Sequence, residues 1–184
     1  MNDVASNVSA FLIHTLFTLY IAAVMLRMLL ALVRADFYNP LSQFLVTITN
    51  PVLIPLRRVI PSVGRVDTAS VLLILVLKML ELTLLAMIAG GALSFPALFI
   101  IAVIQLTELL IYIFIFALIV QAVISWVAPA QAYENPAVGI LRDLTRPLLQ
   151  PVRRVLPPIG MVDLSPLAVI IGLYVLLIVL RSLY

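Results

Sequence analysis

The sequence predicts an all-α membrane protein with four transmembrane helices, arranged as two tandem helix–interfacial loop–helix repeats. Of its 184 residues, 65% are hydrophobic and only 10% are charged, and the mean hydropathy is +1.27. Soluble domains average about 45–50% apolar and about 25% charged residues, so this chain has too little polar surface for a water-soluble domain. Bilayer-length apolar runs occur four times, and the second half of the sequence repeats motifs of the first.

Each of the four predicted spans has about 20 or more mostly apolar residues, enough for a helix to cross a hydrocarbon core of about 30 Å. The spans cover about residues 10–33, 69–89, 97–127 and 164–183. A glycine- and proline-containing turn at 90–96 separates the second span from the third. The N-terminus carries Asp3 and lacks the basic residues of a signal peptide, so we expect the first helix to be retained.

The positions of the arginines predict the orientation. The loops at 34–68 and 128–163 each carry four arginines, whereas the N-terminal tail and the turn at 90–96 carry none. The positive-inside rule therefore places both loops in the cytoplasm and both termini outside.

The chain contains an internal duplication. A shift of 96 residues aligns 39–67 with 135–163 without a gap, and 14 of the 29 positions are identical. Ten of the identities involve residues that are not aliphatic, and shared hydrophobicity cannot produce them. They are Asn39/Asn135, Pro40/Pro136, Thr49/Thr145, Pro51/Pro147, Pro55/Pro151, Arg57/Arg153, Arg58/Arg154, Pro61/Pro157, Gly64/Gly160 and Asp67/Asp163. Residues 1–89 and 97–184 are thus predicted to be parallel repeats, related by an axis along the membrane normal.

Each loop predicts an amphipathic helix of about ten residues, which is too short to span and should lie in the membrane interface. Asn39-Pro40 and Asn135-Pro136 are typical of an N-cap followed by proline at the first helical position. The predicted apolar stripes are Leu41, Phe44, Leu45 and Ile48 in the first loop, and Ile140, Leu141, Leu144 and Leu148 in the second. The opposite polar faces are Ser42, Gln43, Thr47 and Thr49, and then Arg142, Asp143 and Arg146.

The later part of each loop is rich in proline. We expect Pro51, Pro55 and Pro61, with their equivalents in the second loop, to prevent a long regular helix. Asp67 and Asp163 are predicted to cap the transmembrane helices that follow.

These motifs resemble the repeated signature of the YggT/YlmG family, and the resemblance covers nearly the whole chain. It rests on TNPVLIPLRRVIP at 49–61, TRPLLQPVRRVLP at 145–157, DFYNP at 36–40 and DLSP at 163–166. It implies a small protein of the bacterial cytoplasmic (inner) membrane, or of cyanobacteria or plastids, without established enzymatic activity. Plastid relatives are tied to cytochrome b6 maturation and nucleoid distribution, and bacterial relatives to cell division and osmotic tolerance.

Two groups of charged residues are candidate sites. Lys78, Glu81 and Glu108 are predicted to lie at membrane depth, where ionisable residues are functional-site hypotheses by default. They predict either an ion or proton relay or a structural ion-pair lock. The lock is favoured because the shift of 96 residues aligns Lys78 and Glu81 with Tyr174 and Leu177, whereas a relay that used both halves should have polar residues at those positions.

The Arg57-Arg58 and Arg153-Arg154 pairs lie beside the interfacial helices, where anionic headgroups attract basic residues. They predict either an inward topology signal and lipid anchor, or a specific docking surface for phosphate or an acidic partner. Ten of the eleven basic residues are Arg, which mildly favours bidentate contacts.

Enzymatic and cofactor chemistry is not indicated. The chain has no cysteine and a single histidine, His14, which is predicted to be a polar contact between helices and not a haem or metal ligand. No nucleophile motif, P-loop or dinucleotide fingerprint is present. We therefore expect no catalytic residue, metal or cofactor, and no nucleic-acid partner.

Two functions remain. The first is a membrane scaffold or assembly factor that binds anionic lipid headgroups and partner proteins of unknown identity. The alternative is a small ion or solute transporter or channel built around Lys78, Glu81 and Glu108, for which a homo-oligomer is considered.

Overall fold

The structure is a computed structural model that describes residues 2–127, 136–156 and 163–182. In these ranges it is all-helical, apart from a single isolated bridge in one turn. The helices are α1 (Asn2–Val33), α2 (Pro40–Val59), α3 (Thr68–Ile88), α4 (Phe95–Val127), α5 (Pro136–Val155) and α6 (Ser165–Arg181).

Three helical segments among the described residues are long and apolar enough to cross a membrane. They are Val4–Val33, Thr68–Ile88 and Phe95–Ile124. The predicted fourth span corresponds to α6, a shorter apolar helix of 17 residues. At 1.5 Å per residue it is about 25 Å long, less than a hydrocarbon core of about 30 Å.

The surfaces of these helices are those of an integral membrane protein. Large apolar side chains are widely exposed: Leu16 is 66% exposed, Leu19 64% and Phe116 69%. Contiguous exposed apolar surface of this kind is rare on soluble monomers, whereas lipid tails accommodate it.

Helices α2 and α5 lie where the sequence predicts interfacial helices, but each is twice as long as predicted. Both have 20 residues and continue through their internal prolines, Pro51 and Pro55 in α2 and Pro147 and Pro151 in α5. The expectation that these prolines prevent a long helix is therefore wrong. Their rings are exposed, so they do not disturb the buried face, and a proline four residues after another lies on the same side of the helix.

The predicted faces of α2 are partly wrong as well. Ser42 and Thr49, predicted on the polar side, are buried, whereas the exposure of Phe44 agrees with an apolar stripe that faces lipid. The Ser42 hydroxyl donates to the Asp36 carbonyl at 2.9 Å, which satisfies its polar atom away from water. In α5 the predicted faces agree better, because Ile140 and Leu144 are buried and Arg142 is exposed.

The start of α2 has the N-cap geometry that the Asn-Pro pair predicts. Asn39 Oδ1 accepts a hydrogen bond of 3.0 Å from the Leu41 N–H, and the Asn39 carbonyl accepts from the Gln43 N–H. After α2 a tight turn returns the chain to α3. Val63 and Val66 exchange backbone hydrogen bonds across it, and Gly64 adopts a positive φ of 61°, a conformation that glycine tolerates best.

The chain divides into two compact units. One contains Met1–Met28 and Thr47–Leu109, and the other Leu29–Val46 and Leu110–Tyr184. Each unit therefore combines segments from both halves of the sequence. In the first, side chains of α1 contact α2 and α3 through polar groups.

The second unit has an apolar core formed by α4, α5 and α6. Ile111 and Ile115 of α4 pack against Leu177 of α6. Leu118 packs against Leu149 of α5 and Val169 of α6. The order of these contacts shows that α4 and α6 run antiparallel.

Candidate functional site

The first arginine of each Arg-Arg pair is bound by an aspartate ten residues later. Arg57 donates from Nε to Asp67 Oδ2 at 3.1 Å, and its Nη2 contacts the same oxygen. Arg153 donates from Nε to Asp163 Oδ2 at 2.9 Å, with Nη2 at 2.7 Å. We call these two ion pairs the loop clasps, because each ties the end of α2 or α5 to the start of the following helix.

Both aspartates also bind the first turn of the helix that they precede. Asp67 Oδ2 accepts from the Ser70 hydroxyl at 2.6 Å, and Asp67 Oδ1 accepts from the Ser70 N–H. Asp163 Oδ1 accepts from the Ser165 N–H at 2.9 Å. Asp67 is the N-cap residue of α3, whereas Leu164 occupies that position in α6. The carboxylates are therefore both clasp partners and helix-terminal acceptors.

This environment lowers the pKa of both carboxyl groups. Burial alone would raise the pKa of Asp67, but hydrogen bonds from Arg57 and Ser70 and the Arg57 charge outweigh it. Burial likewise would raise the pKa of Asp163, and hydrogen bonds from Ser165 and Arg153 reverse the effect. Both groups are therefore ionised at neutral pH.

The clasps predict a loss of stability in acid. Because each folded-state pKa lies below the usual 3.8, the contribution is complete above about pH 4 and disappears as the pH falls through the lowered pKa. It is under about 1 kcal/mol for each clasp, because the arginines are partly exposed. Unfolding in detergent between pH 6 and 2 should show this loss for the native protein and not for Asp67→Asn/Asp163→Asn. A difference in stability between the native protein and Asp67→Asn/Asp163→Asn that stays the same at every pH would contradict this prediction.

The second arginine of each pair has a different environment. Arg58 and Arg154 are exposed, and neither guanidinium group forms a hydrogen bond or ion pair with any residue that the structure describes. Both arginines of each pair are repeated in the sequence, but in the structure their guanidinium groups have different partners. The first is exposed but bound by an aspartate of the chain, whereas the guanidinium of the second has no partner among the described residues.

The buried charges form a contact centred on Glu81. Its carboxylate is fully buried and accepts from Lys78 Nζ at 2.9 and 3.0 Å. His14 Nδ1 of α1 lies 2.7 Å from Glu81 Oε1, within hydrogen-bond distance. Glu108 is also buried, on α4 of the same unit. The contact between His14 and Glu81 joins α1 to α3.

Two polar tethers, which the sequence did not indicate, hold α2 and α5 to neighbouring helices. Arg27 of α1 donates to Thr49 Oγ1 at 2.5 Å and to Asn50 Oδ1 at 2.9 Å. In the second unit the hydroxyl of Thr145, equivalent to Thr49, contacts Gln121 Oε1 of α4. Both threonines are fully buried. Their identity in the two halves was the only sequence signal for these tethers.

The remaining motif residues have structural positions or fall outside the described part of the chain. Pro40 and Pro136 begin α2 and α5, and Pro61 lies in the turn before α3. Asn135, Pro157 and Gly160 are outside the described residues. Among those that the structure describes, no three His, Asp or Glu residues form a group that could hold a metal ion.

Comparison with known proteins gives consistent matches over the length of the chain. The family profile described as CCB3/YggT matches twice, at residues 6–88 and 100–184. A protein of Vibrio alginolyticus is 44% identical, with 91% of this chain and 90% of the relative covered. A Pseudomonas aeruginosa protein is 39% identical, covering 91% and 85%. The uncharacterized protein YggT of Escherichia coli K12 is 36% identical, covering 92% and 87%. No solved structure matches the chain significantly.

Proposed function

The chain belongs to the CCB3/YggT family, and from this premise we propose that it is a non-enzymatic membrane scaffold or assembly factor. It binds anionic lipid headgroups and partner proteins through the two interfacial helices α2 and α5. The observation that carries the proposal is the repeated arrangement at their ends. In both, an aspartate binds the first arginine, and the guanidinium of the second, Arg58 or Arg154, is exposed without a partner among the described residues.

This arrangement suits a docking surface for anions. A clasped arginine fixes the end of its helix, so the neighbouring guanidinium is presented from a defined position and less of its binding energy is spent on ordering. A guanidinium binds phosphate or carboxylate bidentately, which a plain topology signal does not require. Two such surfaces in one chain permit bivalent attachment to a membrane-bound partner.

We further propose four crossings in the bacterial cytoplasmic membrane, built from two parallel repeats with both loops in the cytoplasm. The two matches of the family profile support the repeat, as do helices whose positions recur about 96 residues apart. The arginine distribution supports the orientation. The roles in membrane-complex assembly, cell division and osmotic tolerance rest on the family resemblance alone.

The transporter remains the alternative. Its candidate is the buried Glu81 with Lys78 and His14. We favour a structural lock, because the carboxylate has charged and polar partners from two helices and the second half has apolar or aromatic residues at the positions equivalent to Lys78 and Glu81. A lock predicts loss of stability on mutation, whereas a relay predicts loss of function in a folded protein.

The test compares the two arginines of each pair by complementation of a bacterial strain that lacks its own family member. Arg58→Lys/Arg154→Lys should reduce growth under osmotic stress severalfold while membrane abundance stays normal, because Lys keeps the charge but loses bidentate geometry. Arg57→Gln/Arg153→Gln is the matched control, and it should instead lower abundance by opening the clasps. Full complementation by Arg58→Gln/Arg154→Gln would contradict the proposal.

A further inference from the structure

The second compact unit contains two cavities that share Gln121 and Arg153 in their walls. One, of about 240 Å³, lies against α5 and is lined by Arg142, Asp143 and Arg146 among others. The other, of about 350 Å³, lies between α4 and α6, and most of its wall is apolar. Because both cavities contact Gln121 and Arg153, they adjoin each other, with a charged end at α5 and an apolar end between α4 and α6.

The first cavity carries a net positive charge. Arg142, Arg146 and Asp143 line it together with Arg153, whose charge Asp163 balances in the clasp, so one positive charge remains uncompensated. Arg142 and Arg146 are exposed and form no ion pair with any residue that the structure describes. They are four residues apart on α5, a spacing at which like charges repel and destabilise a helix. An anion bound between them would remove that repulsion.

The second cavity suits a hydrocarbon chain. Its apolar walls include Ile119 and Val123 of α4 and Leu167 and Ile170 of α6, and the Arg153–Asp163 clasp borders it. It follows the first turns of α6 from Ser165 to Ile170, about 7–8 Å at 1.5 Å per residue. Its volume lies within the range of about 300–1,000 Å³ that is usual for small-molecule sites. Free phosphate would leave it empty.

We propose that these cavities together bind one anionic glycerophospholipid. Its phosphate lies between Arg142 and Arg146, and the upper part of one acyl chain lies in the slot between α4 and α6. The proposal rests on the proposed function and makes it specific, because it assigns tight lipid binding to the second half of the chain only. Val46, Asn50 and Met25 occupy the positions equivalent to Arg142, Arg146 and Gln121. The first half therefore lacks the charges of this site.

The experiment is native mass spectrometry of the full chain in detergent, titrated with phosphatidylglycerol, with phosphatidylcholine or with inorganic phosphate. The native protein should retain one phosphatidylglycerol in preference to phosphatidylcholine. Arg142→Gln/Arg146→Gln should lower this retention at least tenfold, since each guanidinium contributes a charge-assisted contact. Arg34→Gln/Arg65→Gln, which removes two charges that line neither cavity, is the matched control and should retain the lipid.

A second variant tests the apolar slot and does not alter any charge. Ile170→Trp should fill the slot and lower phosphatidylglycerol retention, while the elution volume of the protein in size-exclusion chromatography stays unchanged. Two results would overturn the proposal: equal lipid retention by the native protein and Arg142→Gln/Arg146→Gln, or displacement of the lipid by millimolar phosphate, which would indicate a site for the free anion.

The same variants separate this inference from the proposed function. If Arg58→Gln/Arg154→Gln abolishes complementation while Arg142→Gln/Arg146→Gln keeps its lipid, the lipid site is wrong and the docking function stands. If Arg58→Gln/Arg154→Gln complements fully while Arg142→Gln/Arg146→Gln loses its lipid, the lipid site stands and the docking function is wrong.

Discussion

Replacing Lys78 with methionine is expected to destabilise the protein by about 3–5 kcal/mol, because it removes one partner of a buried ion pair. Glu81 is fully buried, and both of its carboxylate oxygens accept from Lys78 Nζ. Without the ammonium group, His14 Nδ1 at 2.7 Å is the remaining contact that the structure assigns to this carboxylate. Thermal unfolding in detergent micelles, followed by circular dichroism, measures the loss.

The control is the double variant Lys78→Met/Glu81→Met, which should recover most of the stability. Two apolar side chains of similar volume carry no desolvation cost, so removing a whole buried pair is often neutral or stabilising. A further variant with Glu108→Met removes all three buried charges on α3 and α4. If the triple variant folds normally and complements, the charges form a structural lock. If it folds normally and has lost function, the transporter becomes the better hypothesis.

Much of the fold could be predicted because it depends on local composition and periodicity. The boundaries of α3 and α4 follow the apolar runs, and Asn39 caps the start of α2 as an Asn-Pro pair predicts. The length of α2 could not be predicted this way. Proline costs about 3 kcal/mol in a helix interior, yet Pro51 and Pro55 lie inside α2 with their rings exposed. Tertiary packing of the opposite face offsets that local cost.

The candidate site was less predictable, because its contacts join residues distant in sequence. His14 and Glu81 are 67 residues apart, and no periodicity relates them. The clasps are an intermediate case. Arg57 and Asp67 are both repeated in the second half, which was a usable signal for a coupled pair. Recognising the ion pair also required the turn at Gly64, which returns the chain so that the carboxylate reaches the end of α2.

The two polar tethers predict unequal effects from equivalent mutations. Arg27→Leu should cost about 2–3 kcal/mol, because it removes charge-assisted hydrogen bonds to Thr49 and Asn50 and a charged donor contributes about 1.5–3 kcal/mol. Gln121→Leu removes a neutral hydrogen bond to Thr145 and should cost only about 1 kcal/mol. For a chain of this size, Arg27→Leu corresponds to a fall in Tm of roughly 4–12 °C.

The comparison with Arg27→Lys shows whether charge or geometry carries the first tether. Lysine keeps the positive charge but cannot reach Thr49 Oγ1 and Asn50 Oδ1 through a planar fork, as the two terminal nitrogens of Arg27 do. We therefore expect Arg27→Lys to lose at least half of the stability that Arg27→Leu loses. If Arg27→Lys unfolds at the same temperature as the native protein, the positive charge alone is sufficient to stabilise this tether. Equal losses for Arg27→Leu and Gln121→Leu would show that charge-assisted bonding does not distinguish the two tethers.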